Sequence, residues 1–171
     1  MKTNLLFPTT LMLVLSTLCL KVEAQTWMQE NGQTLSRLRN INFVDNNTGW
    51  FFGDSSEFNG FVTGIVKKTN DQGSTWSPQF LGSSELRVYS SYFMDPTTGY
   101  AAGRHNAQGV GFVSKTTDGG TTWTTDSTSF PERLLAIDFN DNLNGWVSGR
   151  NGLISQTADG GATWSLQNST T

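Results

Sequence analysis

The chain has 171 residues, of which 15% are Asp, Glu, Lys or Arg, and a formal net charge of −3. That balance excludes a nucleic-acid binder working by phosphate neutralisation, and a charge content this low does not fit a disordered charged tail. One Cys and one His exclude a zinc finger and a disulfide framework.

Met1-Lys2 opens a short positive stretch, Leu5 to Leu20 is mostly apolar, and Val22-Glu23-Ala24 ends on a small residue. This layout predicts a secretory signal peptide over 1–24 and a mature region over 25–171. The apolar run is short for a bilayer span and lacks a basic stop-transfer flank, so no transmembrane segment is expected after cleavage. Leu18 before Cys19 argues against lipidation of that cysteine. Cleavage also removes Cys19, leaving no thiol for an oxidising compartment. The expected location is secreted, periplasmic or cell-surface, in a bacterial setting.

With 18 Gly and 6 Trp among many Thr, Ser and Asn, the rest reads as short strands joined by turns. Thr26-Trp27-Met28-Gln29 suggests an extra strand at 26–30. Three repeats follow at about 37–80, 87–126 and 133–167. The first strands are predicted at 38–44, 88–94 and 134–140, and turns at Asp45-Asn46-Asn47, Asp95-Pro96-Thr97 and Asp141-Asn142-Leu143. Second strands are predicted at 49–53, 99–103 and 145–149, third strands at 61–69, 111–116 and 152–157, and fourth strands at 75–80, 122–126 and 163–167. Four short antiparallel strands per repeat, with this period, form a β-propeller blade. Three blades fall short of a closed ring, so the expectation is all-β with an incomplete or open propeller. Such a chain is either a piece of a longer propeller or one that self-associates to complete it.

Each repeat ends in T-x-D-x-G-x-x-W: Thr69, Asp71, Gly73 and Trp76; Thr116, Asp118, Gly120 and Trp123; Thr157, Asp159, Gly161 and Trp164. The physical reading is a hairpin between third and fourth strands. Asp accepts backbone N–H groups, Gly permits positive φ, Thr ties the third strand to the turn, and Trp opens the fourth strand and buries its ring. A catalytic or metal role for these aspartates is disfavoured, because each copy lies in a different blade and the three cannot converge on one atom. No catalytic residue, metal ligand set or cofactor motif emerges.

Five arginines occupy repeat-equivalent positions: Arg37, Arg87 and Arg133 before the first strands, and Arg104 and Arg150 after the second, where the first repeat has Asp54. Two uses are open. They can gather around the axis and bind carboxylates or phosphates, or they can bridge blades through Asp45, Asp95 and Asp141. His105 is expected to be solvated in a loop over 103–112. Gly109-Val110-Gly111 lacks the strand-to-helix setting of a phosphate loop. Trp50, Tyr100 and Trp146 recur in every repeat and read as core rather than as sugar-stacking platforms. Glu85 and Glu132 lie beside arginines, which leaves a paired-carboxylate glycosidase site open to an activity assay.

The repeat resembles the Asp-box, or BNR repeat, of sialidase-like propellers. The fuller pattern F-x-D-x-x-x-G-W/Y-x-x-G followed by T-x-D-G-G-x-T-W looks most like the photosystem II assembly and stability factor family, and is also similar to xyloglucanase-type glycosidases and sortilin-like receptors. It covers residues 26–167. The resemblance implies a non-enzymatic scaffold binding a protein or peptide partner through an arginine-rich face. The alternatives are a fragment of an Asp-box glycoside hydrolase of sialidase or xyloglucanase type, and a structural repeat segment of a larger cell-surface protein.

Overall fold

A computed structural model describes residues 36–56 and 62–168. The expected signal peptide at 1–24 and extra strand at 26–30 lie outside the described residues. Twelve strands form three four-stranded antiparallel sheets, each made of consecutive strands. Blade 1 contains β1 (Ser36–Phe43), β2 (Gly49–Ser56), β3 (Val62–Thr69) and β4 (Ser77–Gln79). Blade 2 contains β5 (Leu86–Phe93), β6 (Gly99–His105), β7 (Gly111–Thr116) and β8 (Thr124–Asp126). Blade 3 contains β9 (Leu134–Phe139), β10 (Gly145–Gly149), β11 (Ile154–Thr157) and β12 (Ser165–Gln167). The first strands pack side by side from blade to blade.

The expected four-strand repeat is present, with shifted edges. The fourth strands begin at Ser77, Thr124 and Ser165, one residue after each tryptophan, rather than at 75, 122 and 163 as expected. The tryptophans belong to the turn: Trp123 donates Nε1–H back to Gly120 O at 3.1 Å. Their half-buried rings pack edge-on against Phe43, Phe93 and Phe139 of their own blades. β11 starts at Ile154 because Arg150–Gly152 forms a 3-10 turn with Asn151 at φ 56°. β6 runs through His105, which pairs with Leu86, so this residue ends a strand instead of sitting in a loop.

Two equivalent cores lie between blades. At the first junction Trp50, Phe52 and Val66 of blade 1 meet Val88, Phe93 and Ala101 of blade 2. Trp50 stacks on Phe93 with centroids 3.8 Å apart and 10° between planes. Its Nε1–H donates to Gly119 O at 3.2 Å, inside the Asp-box of the next blade. At the second junction Tyr100, Ala102 and Val113 meet Leu134, Ile137, Phe139 and Val147. Tyr100 stacks on Phe139 at 4.1 Å and donates its Oη–H to Gly160 O at 2.8 Å. The glycine before each aromatic has a steric cause: a Cβ at Gly99 or Gly145 would strike the Phe93 or Phe139 ring. Trp50 and Tyr100 are core, as their recurrence suggests. Trp146 departs from that expectation at 38% exposed, because no further blade covers it among the described residues.

Candidate functional site

The Asp-box turns are the same in all three blades. Thr122 N and Oγ1 donate to the two Asp118 carboxylate oxygens at 2.9 and 2.6 Å, while Thr116 Oγ1 donates to Asp118 and accepts from Gly120 N. Asp71 with Thr69 and Thr75, and Asp159 with Thr157 and Thr163, repeat this network. Hydrogen bonds from the Thr122 and Thr163 hydroxyls, then from their backbone N–H groups, hold the Asp118 and Asp159 carboxyls down at about 2. Gly73, Gly120 and Gly161 have φ of 85°, 93° and 83°. These residues build turns. Among the described residues no group of three or more His, Cys, Asp or Glu is placed to hold a metal ion.

The arginines sit where each inner strand bulges. The ladder shifts register between Leu38 and Asn40, between Val88 and Ser90, and opposite Ser148 and Gly149. The extra residues are Arg39, Tyr89 and Leu135. A bulge re-aims the side chains beside it. It also presses the carbonyls of Arg37, Arg87 and Arg133 against the facing strand, where a Cβ at Gly53, Gly103 or Gly149 would strike them. This close approach accounts for the glycine three residues after each aromatic.

The bulges bring three guanidinium groups around one ring. Arg39, Arg87 and Arg133, one from each blade, place Cζ 4.9, 5.7 and 6.0 Å from the Tyr89 centroid. Asp54 is the carboxylate among them. It is 3% exposed and accepts from Arg39 Nε and Nη2 at 2.8 and 3.1 Å, and Arg87 Nη2 lies 2.6 Å from its Oδ2. Burial pushes the Asp54 carboxyl up, but the Arg39 hydrogen bond and the charges of both arginines outweigh it and leave it below the ordinary carboxylate range. The hydrogen bond to Asp54 in turn raises the Arg39 guanidinium. Buried Nε atoms of Arg87, Arg104 and Arg133 have no hydrogen-bond partner among the described residues. Beyond such enclosed atoms, a guanidinium group presents paired donors that suit a planar carboxylate taking two parallel bonds.

Of the five arginines expected from the repeats, Arg87 and Arg133 meet at Tyr89, and Arg104 stands opposite Arg87 in the ladder. Arg37 and Arg150 are exposed, Arg37 opposite Asp54 and Arg150 bonded through its N–H to Arg133 O. The proposed bridges through Asp45, Asp95 and Asp141 are not formed. Each of these aspartates accepts N–H groups two and three residues ahead in its own turn, such as Asn47 and Thr48 for Asp45. The blade-bridging acid is Asp54. Glu132 accepts from Asn151 at 2.8 Å. Repeat comparison missed Arg39 and Tyr89, because equivalent positions 39, 89 and 135 hold Arg, Tyr and Leu and share no letter.

Residues 83–169, about half of the chain, match the family described as Photosynthesis system II assembly factor YCF48. The chain belongs to this family. Its β-propeller blades are of the BNR, or Asp-box, type seen in YCF48. A structure of YCF48 bound to D1 peptide is similar at a TM-score of 0.62 and 25% identity, over 78% of this chain and 40% of that one. YCF48 from Cyanidioschyzon merolae shares the fold at a TM-score of 0.53 and 24% identity, over 79% of this chain and 38% of that one. The chain thus spans about two fifths of the length of these YCF48 structures. No curated protein matches it in sequence.

Proposed function

We propose that the chain is an exported, non-catalytic propeller scaffold that captures an acidic or carboxylate-ended segment of a protein partner at the Arg39–Arg87–Arg133 cluster. The observation that carries this reading is the gathering of three guanidinium groups around Tyr89 with one buried carboxylate, Asp54, to answer them. Three positive charges against one leave an anion-attracting centre in a chain whose net charge is negative. Arg presents two parallel N–H donors to a carboxylate, and Tyr89 holds the guanidinium planes by cation–π contact. Membership of the assembly-factor family, and the D1 peptide bound to a related structure, support a polypeptide as the ligand. Export rests on the residue pattern of 1–24.

The test is fluorescence anisotropy with two labelled peptides of equal length, one rich in Asp and Glu and the other carrying Asn and Gln at the same positions. The acidic peptide is expected to bind at least about tenfold more tightly, with an affinity that falls as salt rises. Equal binding of the two peptides contradicts the reading. Turnover of sialosides or β-glucans contradicts its non-catalytic part.

A further inference from the structure

The internal junctions define what each end of the blade row lacks. Blade 3 presents Trp146 at the position of Trp50 and Tyr100, 38% exposed, and Ile154 at the position of Val66 and Val113, 37% exposed. Blade 1 presents Leu38, Ile41 and Phe43, which are 65%, 53% and 46% exposed. These stand where blade 3 buries Leu134, Ile137 and Phe139 against blade 2. Blade 1 also carries the acceptor half. Gln72 occupies the place of Gly119 and Gly160 in the Asp-box, with φ of 64° against their 70° and 68°. The N–H of Gln72 is tied to Asn47 O, as Gly119 is to Thr97 O and Gly160 to Leu143 O, so the peptide unit is held the same way. One end therefore offers an indole with a free position over its face, and the other offers the phenyl ring and the carbonyl that such an aromatic meets inside the molecule.

We propose that a second copy of this chain seats its blade 3 on blade 1 of the first, and the reverse, to close a ring of six blades. Trp146 of one copy then stacks on Phe43 of the other and donates its indole N–H to the Gln72 carbonyl, continuing the junction already made twice. The described residues supply three blades, fewer than the roughly four to eight of closed propellers, and two copies bring the number to six. A head-to-tail contact closes when the rotation allows it, and here two copies use the same junction twice. Residues 25–35 contain neither a Phe nor an Asp-box, the two groups that Trp146 would meet in such a junction.

Light scattering on the purified full chain, from about 1 to 100 µM, reads the outcome directly. The expected mass at the upper end is twice the 18.8 kDa of one chain. Trp146→Asp and Leu38→Asp are each expected to weaken self-association at least about 100-fold while far-UV circular dichroism is retained. Each variant keeps the face that the other has lost, so mixing the two restores a one-to-one complex through a single intact junction. A wild-type chain that stays monomeric to the top of the range overturns the proposal. A dimer unaffected by both substitutions overturns it too.

Discussion

Arg87 leaves blade 2 to place Nη2 2.6 Å from Asp54 Oδ2 in blade 1. Asp54 is already held by Arg39 of its own blade. One buried carboxylate thus joins two blades and sets the spacing of two of the three guanidinium groups around Tyr89. Asp54→Asn removes that charge and leaves both arginines facing each other. The expected loss of stability is about 2 kcal/mol, below the cost of breaking a fully buried pair, because the guanidinium sides keep 24% and 20% of their exposure. The same variant is expected to bind the acidic peptide more tightly, since the internal competitor is gone. Denaturant melts and anisotropy on one preparation check both, and weaker binding by a folded Asp54→Asn chain contradicts the role given to Asp54.

Tyr100 reaches Gly160 O with a buried phenol, and burial first, then the Asp159 charge, pushes it up to about 12. A free phenol titrates near 10. The fold therefore favours the neutral form. Its contribution is complete below about pH 10 and is lost as pH rises from about 10 to 12. Tyr100→Phe is expected to cost about 1 kcal/mol at neutral pH and to remove this alkaline loss. Thermal melts of both chains between pH 8 and pH 12 check it, and parallel curves contradict it.

Asp118 and Asp159 carry the opposite sign. Their carboxyls sit at about 2 in the fold, against roughly 3.9 for a free Asp. Stability from these turns is complete above about pH 4 and is lost as pH falls toward about 2. Asp118→Asn is expected to lower Tm at pH 7 and to flatten the acid limb. A constant Tm difference between wild type and variant down to pH 2 contradicts this.

Gly103→Ala tests the close approach behind the bulge. A Cβ there strikes the backbone carbonyl of Arg87, which has no flexible end to move aside. Overpacking of this kind costs about 1–3 kcal/mol. Because the displaced residue is Arg87 itself, acidic-peptide affinity is expected to fall as well. Unchanged binding by a destabilised Gly103→Ala chain separates the bulge from the site and contradicts the link between them.

The blades were legible in the sequence because their causes are local. Thr116, Asp118, Gly120 and Thr122 close a turn among themselves, and the same spacing recurs twice. Gly99 and Gly145 were visible as repeated letters, although their cause, the Phe93 and Phe139 rings, appears only in three dimensions. The arginine cluster was half legible. Arg87 and Arg133 recur at equivalent positions, but Asp54, Arg39 and Tyr89 each occur once. What joins them is a β-bulge, a register shift that leaves no mark in composition or period. Asp45, Asp95 and Asp141 recur with the arginines, which left a bridge between them open as one of two uses. Their short side chains satisfy N–H groups two and three residues ahead instead.

Arg133 offers the most direct test of the binding claim. It faces Tyr89 with a buried, unpartnered Nε, and it has no share in the Asp54 bridge. Calorimetric titration of the acidic peptide into wild type and Arg133→Glu, each shown to melt cooperatively, reads the cluster without breaking the Asp54 bridge. At least about a tenfold loss of affinity is expected, with Tm little changed. Equal affinity for the two chains would contradict capture of the peptide at the arginine cluster.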